Sequence, residues 1–444
     1  MSFHVLDERR LAATDAATKR LLDARTSAWE AVDGLEELRD RAHAIRMEAI
    51  DDLEGHLARF VAAFEAAGGH AHICATAEEA RATVTRICVE AGAKLAAKSK
   101  SMLSEEIELN HDLETAGIEV VETDLGEYII QLAGEHPVHI IAPAIEKTAE
   151  DVAALLSRVE GTPVEPHLDA LAQAARRQLR RVFEQADVGI TGANFAICDT
   201  GSICLVTNEG NGGLVTSLPR VHIALLGLER LVPSLDDLAV LLQLLARSGT
   251  GQSLTTYTRL LTGPRRAGEQ DGPEQMHVVV IDNGRTNLRQ GRYREMLACI
   301  RCGACLNVCP VYRKAGGGAY GPVYSGPMGA VLVPLLHGLE REPNLPHAST
   351  LCGACTVACP VKIPLHELLL DLRRDLVGSG VTSRTERFAF WIWSVLWSRP
   401  VTYRISTALA RLGRPVATLA GPGRTWAIGR ALPPFARRRY RDRG

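Results

Sequence analysis

At 444 residues the chain exceeds what a single ordinary core supports, so two or three domains are expected. Its 46% hydrophobic and 23% charged residues match a soluble globular composition, and the formal net charge of -2 excludes a general pull toward nucleic acid or an anionic membrane. The opening MSFHVLDERRL carries acids and arginines where an export signal needs an apolar stretch, which predicts a cytoplasmic location.

Residues 1–68 read as a helical N-terminal segment: RMEAIDDLEGHLARFVAAFEAAGG has apolar residues at helical spacing and stops at Gly68 and Gly69. Residues 69–265 alternate strand and helix signals. AHICA, IEVVETD, VHIIAPA and VHIALLGL read as strands; AEEARATVTRICVEAG, TAEDVAALLSRV and LDDLAVLLQLLARSG read as helices. Such alternation predicts an α/β domain around a largely parallel sheet. Residues 266–294 read as a polar connector with one strand-like run, MHVVVID.

A cysteine region follows at 295–372, then a tail at 373–444. From Arg384 onward the tail has thirteen arginines against two acids, Glu386 and Asp442, with Trp391, Trp393 and Trp397 at its head. That mixture suits a membrane surface, a partner's groove or packing on its own domain. The uncharged run from Ala315 to Leu339 contains Pro322, Pro327, Pro334 and seven glycines, which argue against a spanning helix.

Seven of the eleven cysteines fall within 61 residues. ACIRCGACLNVCP places Cys299, Cys302, Cys305 and Cys309 in the C-x2-C-x2-C-x3-C-P run of a bacterial [4Fe-4S] ferredoxin. STLCGACTVACP repeats it with Cys352, Cys355 and Cys359, but has Ser349 in the first position. In two-cluster proteins the fourth cysteine of each run ligates the other cluster. Crossover therefore gives Cys299, Cys302, Cys305 and Cys359 to cluster one and Cys309, Cys352 and Cys355 to cluster two. The deficit at Ser349 allows a [3Fe-4S] centre, a [4Fe-4S] centre with serine or another non-cysteine ligand such as His347, or one with an open iron. Structural zinc prefers two separated C-x2-C pairs and fits two triple-cysteine runs poorly. The 42 residues between Cys309 and Cys352 imply a helical two-cluster module, larger than a minimal ferredoxin.

Weaker signals compete with plain structural readings. Gly316, Gly318 and Gly321 have the G-x-G-x-x-G spacing but leave a cluster motif, where a turn is the better account than a dinucleotide loop. Asn194, Asp199, Thr200, Glu209 and Asn211 lie near glycines and could line a pocket at strand ends, or simply form tight turns. LARSGTGQSLTTY offers Arg247 to an anion without a P-loop pattern. Lys94, Lys98 and Lys100 read as a basic patch or, preferably, a solvated helix start. Cys74, Cys88, Cys198 and Cys204 read as inert buried thiols.

With these residues assembled, the chain resembles the lactate utilization protein B family of bacterial lactate operons. SKSMLSEEIELN, VVETDLGEYIIQLAGEHPVHIIAPAIEKT, GITGANFAICDTGSICLVTNEGN, LPRVHIALLGLERLVP and the two cysteine runs match its blocks in order, from about residue 90 to 370. The resemblance implies a sugar-isomerase/CoA-transferase-like α/β fold and two [4Fe-4S] centres on the seven cysteines named above. It also implies a role in oxidising L-lactate to pyruvate beside two partners, one cysteine-rich and one carrying a single α/β domain. It supplies no catalytic residue.

Three functions follow. The first is an electron-transfer subunit of a lactate-oxidising complex, since no flavin or nicotinamide site is evident. In the second, the chain itself oxidises a hydroxy acid at an open cluster iron. The third is a redox-sensing binding protein.

Overall fold

The computed structural model describes residues 7–321 and 323–417. Pro322, the opening six residues and the arginine-rich end of the tail lie outside the described residues.

Three helices come first: α1 (Glu8–Glu30), α2 (Leu35–Asp51) and α3 (Leu53–Ala66). Asp7, Asp52, and in the next helix (Ala77–Glu90) Thr76, each accept a backbone N–H of the first turn, fixing where those helices begin. The strands are β1 (His70–Cys74), β2 (Leu95–Lys98), β3 (Glu119–Glu122), β4 (Val188–Gly192), β5 (Phe195–Ile197), β6 (Ser202–Thr207), β7 (Val221–Gly227), β8 (Leu231–Val232), β9 (Tyr257–Leu261) and β10 (Gln275–Ile281).

Six of them form a wholly parallel sheet in the order β1-β10-β7-β4-β2-β3. The interior strands read as continuous apolar runs because both faces are covered. Ile223, Leu225 and Val279 pack with Val84 and Ile87 on one face; Ala224, Leu226 and Val278 pack with Phe60 and Phe64 of α3 on the other. β8-β5-β6-β9 make a smaller mixed sheet.

Three expectations need correction. The run at 275–281 is no connector element: β10 lies inside the sheet between β1 and β7, so the α/β domain extends through residue 281 rather than ending at 265. A strand's sheet position is set by pairing with partners distant in sequence, and the polar stretch before β10 hid it. The described part of residues 1–68 is helical but not a separate segment. The described residues up to Arg373 form one compact unit, with α1 and α2 packed on the cysteine region and α3 on the sheet. Finally, VHIIAPA is a loop. Its Val138 carbonyl accepts from Tyr312 Oη (2.8 Å) and Ser325 Oγ (2.7 Å), and Pro143 has no N–H to give a ladder.

The cysteine region is built of short helical turns around one longer buried helix, Gly326–His337, with Pro334 inside it. No described helix is long and apolar enough to cross a membrane. The second unit begins at Arg374. Its helix Arg384–Ser398 has no buried residue and exposes Phe388, Phe390, Trp391, Trp393 and Trp397.

Candidate iron-sulfur centres and an adjoining cavity

The two cysteine runs fold alike. Arg301 and Gly303 flank Cys302 with φ of 59° and 76°; Leu351 and Gly353 flank Cys352 with φ of 55° and 79°. These left-handed residues tighten each loop so that a short helix, Ala304–Asn307 or Ala354–Ala358, carries the next cysteine, and the two helices touch. The loops also share a hydrogen bond. Arg301 N–H donates to Cys299 Sγ (3.4 Å), and Leu351 N–H donates to Ser349 Oγ (3.1 Å). Ser349 thus occupies the place in its loop that Cys299 has in the first, whereas His347 is exposed at the end of a short turn.

Tertiary packing brings the sulfurs together in two sets. One pocket is lined by Cys299, Cys302, Cys305 and Cys359. Cys309, Cys352 and Cys355 influence one another electrostatically, and Cys305 also feels Cys355, so the sets are adjacent. Among the described residues, no three cysteine sulfurs lie within 4.8 Å of one another, whereas a tetrahedral zinc at about 2.3 Å from each thiolate needs sulfurs about 3.8 Å apart. The wider spread suits a polynuclear centre.

Burial pushes the Cys302 thiol up to about 12 and the Cys355 thiol up to about 11, and Cys305 and Cys359 higher still. Thiolates in so dry a site need a cation to hold them, and iron supplies it. Cys352 differs: it is exposed, and its thiol is lowered by the Ala354 N–H and Thr350. It lies in an open groove with Arg25 and His366.

Sequence reasoning missed a shell of arginines around the first set. Arg25 donates to Ala358 O (3.1 Å), Arg39 to Val357 O (3.1 Å) and Cys359 O (2.7 Å), and Arg230 to Cys299 O (3.0 Å). Arg46, fully buried, donates to the carbonyls of Leu231 (2.8 Å), Leu297 (3.2 Å) and Glu229. His139 was missed too. Its Nδ1 accepts the N–H groups of Ile141 and Ala142, so Nε2–H donates to Asn307 Oδ1 (3.1 Å), between Cys305 and Cys309. Burial lowers this imidazole to about 4, keeping it neutral. The available clue was an arginine on the apolar stripe of its helix, as Arg46 stands with Ala42, Ile45 and Ala49, a residue type seldom buried without partners.

A cavity of about 410 Å³ lies at the carboxyl ends of β2, β4 and β7. The chain turns outward to β3 from β2 and inward through β7 from β4, so this is the topological switch point where open α/β sheets bind ligands. Ser99, Lys100, Asn194 and Glu209 line it, as do Gly249, Thr250 and Thr255 of the second loop. Asp199, Thr200, Asn211 and Arg247 do not. Arg247 instead donates to Gln243 O within its own helix. Cys302, Arg301 and Ile140 belong to both this cavity and the four-cysteine pocket.

The three lysines form neither a patch nor a solvated helix start. Lys94 is exposed, and Lys100 donates to Ile141 O (2.8 Å). Lys98 is completely buried at the end of β2, paired with Glu122 (2.6 Å) and Glu105 (2.9 Å). Glu127 stands beside that group, and its carboxyl is pushed up to about 8 by burial and by Glu122. Gly316, Gly318 and Gly321 sit in or beside a short turn with no strand before it. Cys88 and Cys204 are pushed up to about 12 and Cys198 to about 11, chiefly by burial.

Residues 57–281 match the LUD domain and residues 295–363 the 4Fe-4S dicluster domain. Fold and site therefore define an iron-sulfur protein in which an α/β LUD domain is fused to a two-cluster module. A lactate utilization protein B of Shouchella clausii is 45% identical over 438 residues, covering 97% of this chain and 92% of that one. One from Bacillus velezensis is 44% identical over 440 residues, with the same coverage. This chain belongs to the lactate utilization protein B family. A DUF162 family protein from Deinococcus radiodurans aligns with 52% of this chain and 98% of its own at 14% identity and a TM-score of 0.30, too slight a likeness for any argument.

Proposed function

We propose that this chain is the iron-sulfur electron-transfer subunit of a multi-protein complex that oxidises L-lactate to pyruvate. The observation that carries the reading is the pairing of a four-cysteine pocket, with Cys305 and Cys359 buried, with an adjacent three-cysteine set whose Cys352 reaches the surface. In this reading Cys299, Cys302, Cys305 and Cys359 hold one [4Fe-4S] cluster. Cys309, Cys352 and Cys355 hold a second, with Ser349 Oγ completing it because it occupies the Cys299 position of its loop. Such clusters supply one-electron transfer.

The protein's part is to shield and position them. The arginine shell offsets the negative charge of the four thiolates. The exposed edge at Cys352 gives the electron an exit toward another protein. The partners are two other lactate-utilization proteins, one cysteine-rich and one with a single α/β domain. The aromatic helix Arg384–Ser398, exposed along its length, is a surface for one of them or for a membrane.

The test is anaerobic electron paramagnetic resonance of the purified full chain before and after L-lactate, with dithionite as the positive control. Dithionite is expected to produce cluster signals while lactate alone does not. Reduction by lactate alone would make the chain itself the oxidase.

A further inference from the structure

The cavity at the sheet's switch point has a dry end and an open end. The open end carries the solvent-exposed Asn208 and Glu209 and the half-buried Thr255. At the dry end stand Arg230, Arg285, Arg301, Glu229 and Tyr324.

The charges at the dry end do not balance. Glu106 takes both terminal nitrogens of Arg285 at 2.8 Å, and Glu229 takes Arg285 Nε at 2.5 Å. That leaves Glu229, already engaged, as the sole carboxylate for two further guanidinium groups: Arg301 at 3.2 Å and Arg230 at 3.7 Å. The Arg301 guanidinium lies over the Tyr324 ring at 4.2 Å, but its Nε is buried without a hydrogen-bond partner and its Nη1 has only a weak contact with Met328 Sδ (3.6 Å). A guanidinium held out of water needs an anion that can accept its paired N–H groups, and a carboxylate matches that fork.

The cysteine cluster does not account for all of this charge. Arg25, Arg39 and Arg46 already engage the four-cysteine set through the carbonyls of residues 297, 298 and 357–359, and Arg230 through one hydrogen bond to Cys299 O. Arg301 and Arg230 line the cavity with Arg285, whose nitrogens Glu106 and Glu229 already take, and Cys302 lines it too.

We propose that this cavity is the carboxylate-binding site of the complex, taking a small hydroxy or oxo acid with its carboxylate on Arg230 and Arg301, against the wall formed by Cys302. The assignment rests on the electron-carrier reading and deepens it: the acid binds in this chain, and its oxidation waits for the partners. At about 410 Å³ the cavity is roomier than a three-carbon acid requires.

The experiment is anaerobic isothermal titration of the cluster-loaded full chain with pyruvate, L-lactate and inorganic phosphate. Both organic acids are expected to bind saturably and phosphate at least tenfold more weakly. Arg230→Gln is expected to weaken the acids at least tenfold. Thr255→Trp, which narrows the mouth at a residue whose hydroxyl meets Tyr257 O and Thr258 Oγ1, is expected to do the same with the dithionite-reduced spectrum unchanged. Absence of saturable binding in protein with both cluster signals would overturn the cavity assignment and leave the electron-carrier reading standing, with the arginines serving the cluster alone. Phosphate binding as tightly as the acids, or undiminished acid binding in Thr255→Trp, would overturn it equally. Protein lacking cluster signals would instead defeat the electron-carrier reading, and the titration would still decide the cavity.

Discussion

Cys359 and Cys309 close each sequence run, yet each lies with the opposite set of sulfurs: Cys359 lines the pocket of Cys299, Cys302 and Cys305, while Cys309 feels Cys352 and Cys355. Cys359→Ser is therefore expected to deplete iron at the cluster of the first run, and Cys309→Ser at that of the second. Iron analysis with cluster-resolved paramagnetic resonance checks this, and the reverse pattern would exclude the crossover. Ser349→Cys is expected to alter only the second cluster's signal, because Ser349 Oγ already receives the Leu351 N–H as Cys299 Sγ receives that of Arg301. Glu127 gives a pH prediction. Its carboxyl is raised from 4.5 to about 8 by burial and by Glu122, so the folded chain keeps a proton that the unfolded chain releases. The stability tied to that proton is full below about pH 4.5 and lost as pH climbs through about 8. Glu127→Gln should melt higher than the parent at pH 8.5 and show little gain at pH 4.5, as thermal denaturation at the two pH values would reveal.

Single elements act on the centres from a distance. The last residue of the helix Leu235–Gly249 has no side chain: a Cβ at Gly249 would stand 2.8 Å from Cys302 O and 2.7 Å from Ile141 Cδ1. Gly249→Ala must displace the Cys302 loop, and the expected result is lower iron content in the first cluster, with the second retained. Helix α2 presents Arg39, His43 and Arg46 to the cysteine region, His43 Nδ1–H donating to Val361 O at 2.8 Å. Arg46→Gln strips a buried cation from several carbonyls at once. It should cost about 3 kcal/mol or more and lower the melting temperature of the loaded protein. The loop at 138–145 works in the same way: its alternating apolar letters fit a strand, but its carbonyls and His139 are engaged by Tyr312, Ser325 and Asn307.

At the scale of the molecule, the cysteine region has no boundary of its own on the N-terminal side. α1 also reaches it through Asp15, which pairs with Arg313 at 2.7 Å. A chain beginning at residue 52 is expected to lose the visible absorbance of its clusters although every cysteine remains, and iron analysis of that truncation would check it. Much of the site was legible in sequence because it is local: seven thiols, a proline after each run and the missing thiol at Ser349 are set by spacing within a few turns of chain. β1, β3 and β7 and the helices Ala77–Glu90, Ala149–Glu160 and Leu235–Gly249 were legible for the same reason, being carried by short-range periodicity, whereas β2 and β4 were not read as strands. What the sequence by itself determined is the identity of the donors and the class of centre they suit, since loop geometry and thiol chemistry are local properties. Only tertiary structure decided that β10 belongs inside the sheet, that Lys98 is buried between acids, and that arginines far apart in sequence converge beside Cys302. Each depends on which long-range partner a polar group meets once water is excluded, and no window of neighbouring residues contains that partner.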